Sequence, residues 1–433
     1  MHYNRRCGIA GYSAPLYKNG ARMADSSPEC SIVIPVFNKW DMTRNCLESL
    51  REHSAGHDFE IIVVDNGSTD ATATELVPLG SALWGQRFTP LIFRENRNFG
   101  PACNAGARIA TAPLLFFLNN DTLMTPGWAP PLLKEIRHEG TGAVGPLLLY
   151  ENNTVQHLSA AMGVLGPTHL YHRFPASHPV VRKKRIPQIL TAAALMMTKA
   201  LFLRCGCFHE GYQNGFEDVE LCVRIGQQGE RLRYVPGSVI YHLESQTPGR
   251  SDKETANGIL LFERCGNDLY IDLHHHALRD GFSVFITDLL TVGTRLTPEE
   301  EKNLTARAEG RDFGGWLEIA RENPFWIRGK EVLAQSLEAA GRWTHATQFR
   351  TELVDIEPTA QRCRDLLAHV QYYPEPPAWM EVVTKYLEMV VMFQKDRNSC
   401  RKKITEIRRR FKSGADAFLE QAYENKLREM FPE

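Results

Sequence analysis

Four apolar runs within the first 121 residues each finish on polar side chains. "SIVIPVF" (Ser31 to Phe37) ends at Asn38, and "FEIIVV" ends in Asp65-Asn66-Gly67-Ser68. "PLIFREN" leads into the stretch from Asn96 to Gly100, and "PLLFFL" stops at Asn119-Asn120-Asp121. Such short, β-branched or aromatic runs without polar alternation predict strands buried on both faces. Helical segments separate them. "DMTRNCLESLREH" puts Met42, Cys46, Leu47 and Leu50 on one face, with Asp41 as its expected cap; Asp70 is expected to cap the next helix, and "PACNAGARIA" predicts a helix of small residues. The order β-α-β-α-β with short links implies an α/β fold with a mainly parallel, doubly wound sheet. In such sheets ligands bind at the strand C-termini, so all four polar endings are expected at one edge.

Further apolar runs, "GAVGPLLLY" and "ILTAAALMMTK", are expected to extend the sheet, followed by the helix "DVELCVRIGQQG" and the strand segment "RLRYVPGSVIYH". The expected division is a loosely ordered segment over 1–29, a sheet domain over 30–275 and an all-helical region over 276–433. Within the last, residues 323–358 resemble a tetratricopeptide unit, with Leu333 and Leu337 on a first helix, a turn at Gly341-Arg342 and Ala346 on a second; an ordinary helical hairpin fits the same pattern. "CRKKITEIRRRFK" predicts a basic helix, whose charge suits either solvent or an anionic lipid surface.

With 50 basic and 51 acidic residues the charge balance favours neither a nucleic-acid wrapper nor an acidic tail. No apolar run approaches the roughly 20 residues of a membrane span, and the N-terminus has no signal-type apolar stretch. Ten unevenly spaced cysteines do not form a disulfide framework. The expectation is a cytoplasmic protein, with peripheral contact at the inner membrane face as an added expectation. His274-His275-His276 are consecutive and point in different directions on a helix, so a shared metal is not expected there; "VRKKR" (Val181 to Arg185) is expected to be a solvated loop.

The chain has no G-x-G-x-x-G and no G-x-x-x-x-G-K-[ST]. A diphosphate held without those cradles needs a divalent cation, and Asp121 offers a carboxylate of the kind Mg²⁺ or Mn²⁺ prefers. "SIVIPVFN", "VVDNGSTD", "ENRNFGPACNAG", "LNND" and "GFEDVELCVRIGQQG", in that order, resemble the landmarks of the family 2 inverting glycosyltransferases, which adopt the GT-A fold. The resemblance spans about Cys30 to Cys265, more than half the chain.

That resemblance implies roles. Asp65 would bind the base of the donor nucleotide, with Pro35, Asn38 and Asn66 on the neighbouring wall. Arg97, Asn98 and Asn104 would border the nucleotide and diphosphate. Asn119, Asn120 and Asp121 correspond to the Asp-x-Asp metal motif, although Asn replaces the first acid, leaving Asp121 as the carboxylate ligand for Mn²⁺ or Mg²⁺. His242 would reach the metal or diphosphate from the far side. Asp218 would be the catalytic base and Glu217 would orient the acceptor. A plain turn or helix cap would also account for each of the three Asp residues.

The implied reaction is metal-dependent, non-processive transfer from a nucleoside-diphosphate sugar, a UDP-sugar foremost, to a hydroxyl on a surface glycan or on a protein such as flagellin. The Gln-x-x-Arg-Trp signature of processive relatives is missing. The helical region would bind the acceptor, a protein partner or a second copy of the chain. Two other readings are a degenerate nucleotide-binding domain with a helical adaptor, and a sugar-nucleotide pyrophosphorylase; the latter lacks its glycine-rich loop in "PVFNKWDMTRN".

Overall fold

The structure, a computed structural model, describes residues 27–243, 250–410 and 416–432. The N-terminal segment 1–26 and the end of the basic stretch, Phe411 and Lys412, lie outside the described residues.

The predicted strands form as β1 (Cys30–Val36), β2 (Phe59–Asp65), β3 (Phe88–Ile92) and β4 (Leu114–Leu118), separated by helices α1 (Trp40–Glu52), α2 (Thr72–Trp84) and α3 (Phe99–Ile109). The pairs β1–β2, β2–β3 and β1–β4 are parallel. Alternate residues of β1 feed different cores: Ile32, Ile34 and Val36 pack with Leu47, Leu50 and Leu76 of α1 and α2, whereas Val33 packs with Ala102, Cys103 and Ala107 of α3. Helices on both faces explain why the strand sequences are apolar throughout. Small residues in α3 allow close approach, since a Cβ on Gly106 would stand 2.5 Å from Val33 Cγ1.

Capping differs from expectation. Asp41 lies inside the first turn of α1 rather than at its cap. Asp70 instead serves both helices: its Oδ2 accepts from Trp40 N (3.1 Å) and its Oδ1 from Thr72 N (3.0 Å). The buried face of α1 uses Thr43 with Cys46, Leu47 and Leu50.

The chain continues through β5 (Thr122–Met124), α4 (Ala129–Glu135), β6 (Thr141–Leu149), β7 (Val155–His157), β8 (Ala160–Gly163), β9 (Gly166–His169), β10 (Ala194–Thr198), α5 (Lys199–Arg204), α6 (Glu217–Gln227) and β11 (Arg231–His242). The strand order is β3-β2-β1-β4-β10-β6-β11-β5, with β10 antiparallel to β4 and β6, and β11 parallel to β6. The sheet is thus α/β, parallel in its first half and mixed beyond β4.

Next come α7 (Arg250–Cys265), α8 (Leu273–Arg279) and a hairpin of β12 (Ser283–Ile286) and β13 (Val292–Arg295). The hairpin corrects the expectation of helix alone after residue 280. Val284, Ile286 and Val292 join an apolar cluster that includes Tyr423 and Leu427, and this tertiary packing decides a short segment that periodicity left ambiguous.

The helices that follow are α9 (Pro298–Ala308), α10 (Phe313–Glu322), α11 (Ile327–Ala339), α12 (Trp343–Ile356), α13 (Ala360–Leu367), α14 (Trp379–Lys395), α15 (Arg397–Arg410) and α16 (Ala417–Met430). α11 and α12 pair about a turn at Gly341 (φ 70°), with Leu333, Leu337 and Ala346 buried. One apolar cluster runs from Leu147, Val155 and Tyr234 of the sheet domain to Leu304, Trp326 and Leu333, so the core is continuous across residue 275. The loop at Val181 to Arg185 is not simply solvated. Arg185 is buried and meets Asp280 at 2.6 Å, and Lys183 meets the same carboxylate at 3.0 Å. No helix of the described residues is long and apolar enough to cross a membrane.

Candidate active site

The site is the edge formed by the C-terminal ends of β1, β2, β4 and β11. Asp65 ends β2 and is buried; its Oδ1 accepts from Ser68 N at 2.9 Å. β1 separates β2 from β4, so their ends stand about 10 Å apart. Pro35 lies beside Val64 in the same register.

The Asn residues expected on the nucleotide side act as loop ties. Asn38 (φ 57°) accepts through Oδ1 from Thr69 N at 2.8 Å, and its own N–H donates to Ser68 Oγ. Asn66 donates to Asn96 Oδ1 and Asn98 O (both 3.1 Å) and accepts from Arg97 N at 2.8 Å. Arg97 lies over the Phe93 ring at 4.8 Å. Asn104 is directed elsewhere. It is buried, donates to Phe208 O (2.9 Å) and Glu210 Oε1 (3.0 Å), and accepts from Phe208 N (2.9 Å), locking the chain that precedes α6.

Between the β1 and β3 loops, Gly67 (φ 83°) lies so close to Glu95 that an added Cβ would stand 2.7 Å from its backbone. Gly67→Ala is therefore expected to cost about 1–3 kcal/mol of stability in urea unfolding. The turn that follows Asp65 would have to shift to admit the methyl group.

At the tip of β4, Asn120 donates to Thr43 Oγ1 at 2.9 Å. Asn119 and Asp121 both face His242, the last residue of β11. Asn119 Nδ2 lies 3.3 Å and Asp121 Oδ1 3.2 Å from His242 Nε2. His242 is buried, and its Nδ1 has no hydrogen-bond partner among the described residues. An amide, a carboxylate and an imidazole within contact distance form a donor set that fits Mn²⁺ or Mg²⁺ with phosphate and water completing the shell.

Asp218 arrives from α6, whose N-terminus follows Phe216 in a left-handed conformation (φ 72°). Asp218 Oδ2 accepts from Ala192 N at 3.0 Å. The next residue, Ala193, accepts through its carbonyl from Asn119 N at 2.9 Å. Two consecutive residues of one segment thus tie the α6 carboxylate to the β4 tip. Glu217 is buried, and its Oε2 accepts from Gly215 N at 2.6 Å.

His157 belongs to this edge but was not marked by the sequence. It ends β7, accepts from Thr191 N through Nε2 (3.2 Å), and contacts His169 between their Nδ1 atoms (2.8 Å). Burial, with His169 and His242 nearby, holds its imidazole well below the ordinary range, so it is neutral at neutral pH. A lone His in "NTVQHLSAA" carries no local signal of this. A hollow of ≈ 460 Å³ lined by Glu29, His57, Lys134 and Arg137 lies at the opposite end of β1, away from the three carboxylates.

Known proteins resemble the chain at this level. The profile described as Glycosyl transferase family 2 matches residues 31–201. The O-antigen biosynthesis protein RfbC of Myxococcus xanthus is 28% identical over 326 residues, 72% of this chain and 24% of that protein. The pre-mycofactocin glycosyltransferase of Mycobacterium tuberculosis is 28% identical over 222 residues, 50% of this chain and 43% of its own length. The chain thus spans less than half the length of these relatives. Among solved structures, the mannosyltransferase PcManGT from Pyrobaculum calidifontis in complex with GDP-Man and Mn²⁺ superposes with TM-score 0.42 at 18% identity, covering 85% of this chain and 87% of that one. With the profile match falling on β1 through β10 and the landmark motifs gathered at one sheet edge, residues 31–201 are a domain of glycosyl transferase family 2.

Proposed function

We propose that the chain transfers a sugar from a nucleoside diphosphate to a hydroxyl acceptor by a single inverting displacement. The observation that carries this is the tie from Asp218 through Ala192-Ala193 to Asn119, which couples a carboxylate to the diphosphate edge. Asp65 holds the base and the ties made by Asn38 and Asn66 shape the nucleotide wall. Asp218 takes the acceptor's proton as the new bond forms. Glu217 fixes the turn from which the acceptor is oriented. Asn119, Asp121 and His242 would hold the divalent ion. When bound, the ion offsets charge on the leaving diphosphate.

A UDP-sugar is the first donor to test, and the acceptor is a glycan or protein hydroxyl. The helical region is the surface for the acceptor, a partner protein or a second copy, with residues 323–358 as a tetratricopeptide-like unit. The site of action proposed is the cytoplasm or the inner membrane face.

Incubation with a panel of nucleotide sugars, Mn²⁺ and acceptor sugars should release a nucleoside diphosphate. Thermal shift with UDP and Mn²⁺ should raise the melting temperature. Neither release nor binding with any nucleotide would overturn the proposal, whereas binding without turnover would favour a non-catalytic nucleotide-binding domain. Asp121→Ala is expected to raise the Mn²⁺ concentration for half-maximal activity by at least ~10-fold, measured by metal titration. An unchanged titration would remove Asp121 from the ion's shell.

A further inference from the structure

His274 and His275 follow Leu273 in the first turn of α8, where successive side chains should diverge by about 100°. Their rings nonetheless lie with centroids 4.0 Å apart, turned toward one carboxylate from the far end of the chain. His274 Nε2 is 2.6 Å and His275 Nε2 3.4 Å from Asp416 Oδ2. Asp416 commits its other oxygen to α16, where Oδ1 accepts from Phe418 N (3.1 Å) and Leu419 N (3.3 Å). That cap fixes the direction of Oδ2.

His274 is completely buried and stacks on Phe418 with centroids 5.7 Å apart. His274 Nδ1 has no hydrogen-bond partner among the described residues, so the ring can take the tautomer that leaves Nε2 open to a metal. Two imidazoles and one carboxylate suit a borderline-soft ion. Ligands about 2.0–2.1 Å from a tetrahedral ion stand about 3.3 Å from one another. The His275–Asp416 separation already matches, and His274 must draw back from Asp416 by roughly 0.7 Å to exchange its hydrogen bond for a metal bond.

We propose that His274, His275 and Asp416 bind one Zn²⁺ ion, with water in the fourth position, and that this ion fastens α16 to α8. On binding, the hydrogen-bonded proton of His274 moves from Nε2 to Nδ1, so the ligating imidazole stays neutral and no net proton is lost from the ring. α8 is itself tied to β8, since Asp272 Oδ1 accepts from Met162 N at 2.8 Å, so the ion would anchor the last helix to the sheet domain. This site is separate from the Asp121–His242 cluster and does not depend on the proposed transfer reaction.

The test uses the untagged full chain after chelator treatment. Zn²⁺ should raise its melting temperature by about 2–5 °C. Co²⁺ should give the intense visible bands of a tetrahedral ion. His275→Ala is half-exposed in the parent and should keep the metal-free melting temperature while losing most of the Zn²⁺ shift and the Co²⁺ bands. Asp121→Ala should retain both. No Zn²⁺ shift in the parent, or an equal shift in His275→Ala, would overturn the site. Loss of the shift in Asp121→Ala alone would move the ion to the cleft and also overturn it.

Discussion

Asp218→Asn should lower sugar transfer by about 10³-fold while leaving the affinity for the nucleoside diphosphate within a few-fold of the parent. The asparagine keeps the size of the side chain and one acceptor oxygen but cannot take a proton. Asp218 accepts from Ala192 N and Val219 N, so the variant loses at most one of these bonds and should remain folded. Single-turnover assays with saturating donor, paired with calorimetry using the diphosphate, separate the two effects. Near-parental turnover would remove Asp218 from the role of base. A parallel loss of diphosphate affinity would mean that the tie to Ala192 positions the β4 tip rather than the acceptor's proton.

Asp280→Ala should destabilise the fold by about 3–5 kcal/mol, the largest stability effect expected of a single substitution here. Asp280 lies between Arg185 (2.6 Å), Lys183 (3.0 Å) and the Tyr171 hydroxyl (2.5 Å), with Arg185 itself buried. Removing the acid leaves a guanidinium out of water without its partner. The double variant Arg185→Met/Asp280→Leu should recover much of the loss, because it removes both charges. Chemical unfolding of the two variants checks this; a loss under about 1 kcal/mol in Asp280→Ala would contradict it.

The same cluster gives a pH dependence. Burial disfavours the charged carboxylate, but bonds from Tyr171 and Arg185 outweigh it, and the pKa of Asp280 falls below the usual 3.8. A depressed native pKa contributes stability above the unfolded value, and that stability is lost as pH falls from about 4 through the native value. Asp280→Asn should therefore show a shallower acid limb in its stability profile than the parent.

Apolar runs of the right length mark β1, β2, β3 and β4, since strands buried on both faces leave no other pattern. The polar endings at Asp65 and at Asn119 to Asp121 were legible for the same reason: a charged or amide group directly after such a run must emerge at the sheet edge. What polar groups do there was less legible. Asn38, Asn66 and Asn104 have short side chains that suit a ligand or a neighbouring loop equally, and the loops claim most of their hydrogen-bonding capacity. Asp41 and Asp70 look alike as caps, yet only Asp70 reaches two helix starts. In "VRKKR" a charged run conceals Arg185, because the acid that buries it lies in another element.

Sequence alone determined the α/β class, the helical C-terminal region and the set of carboxylates delivered to strand and helix ends, because periodicity and element termini are local properties. Tertiary structure decided the antiparallel insertion of β10, the β12–β13 hairpin, the entry of His157 into the edge and the meeting of Asp416 with His274 and His275. Those depend on which distant segments pack together, and burial and hydrogen-bond pairing between remote residues leave no periodic trace in the chain.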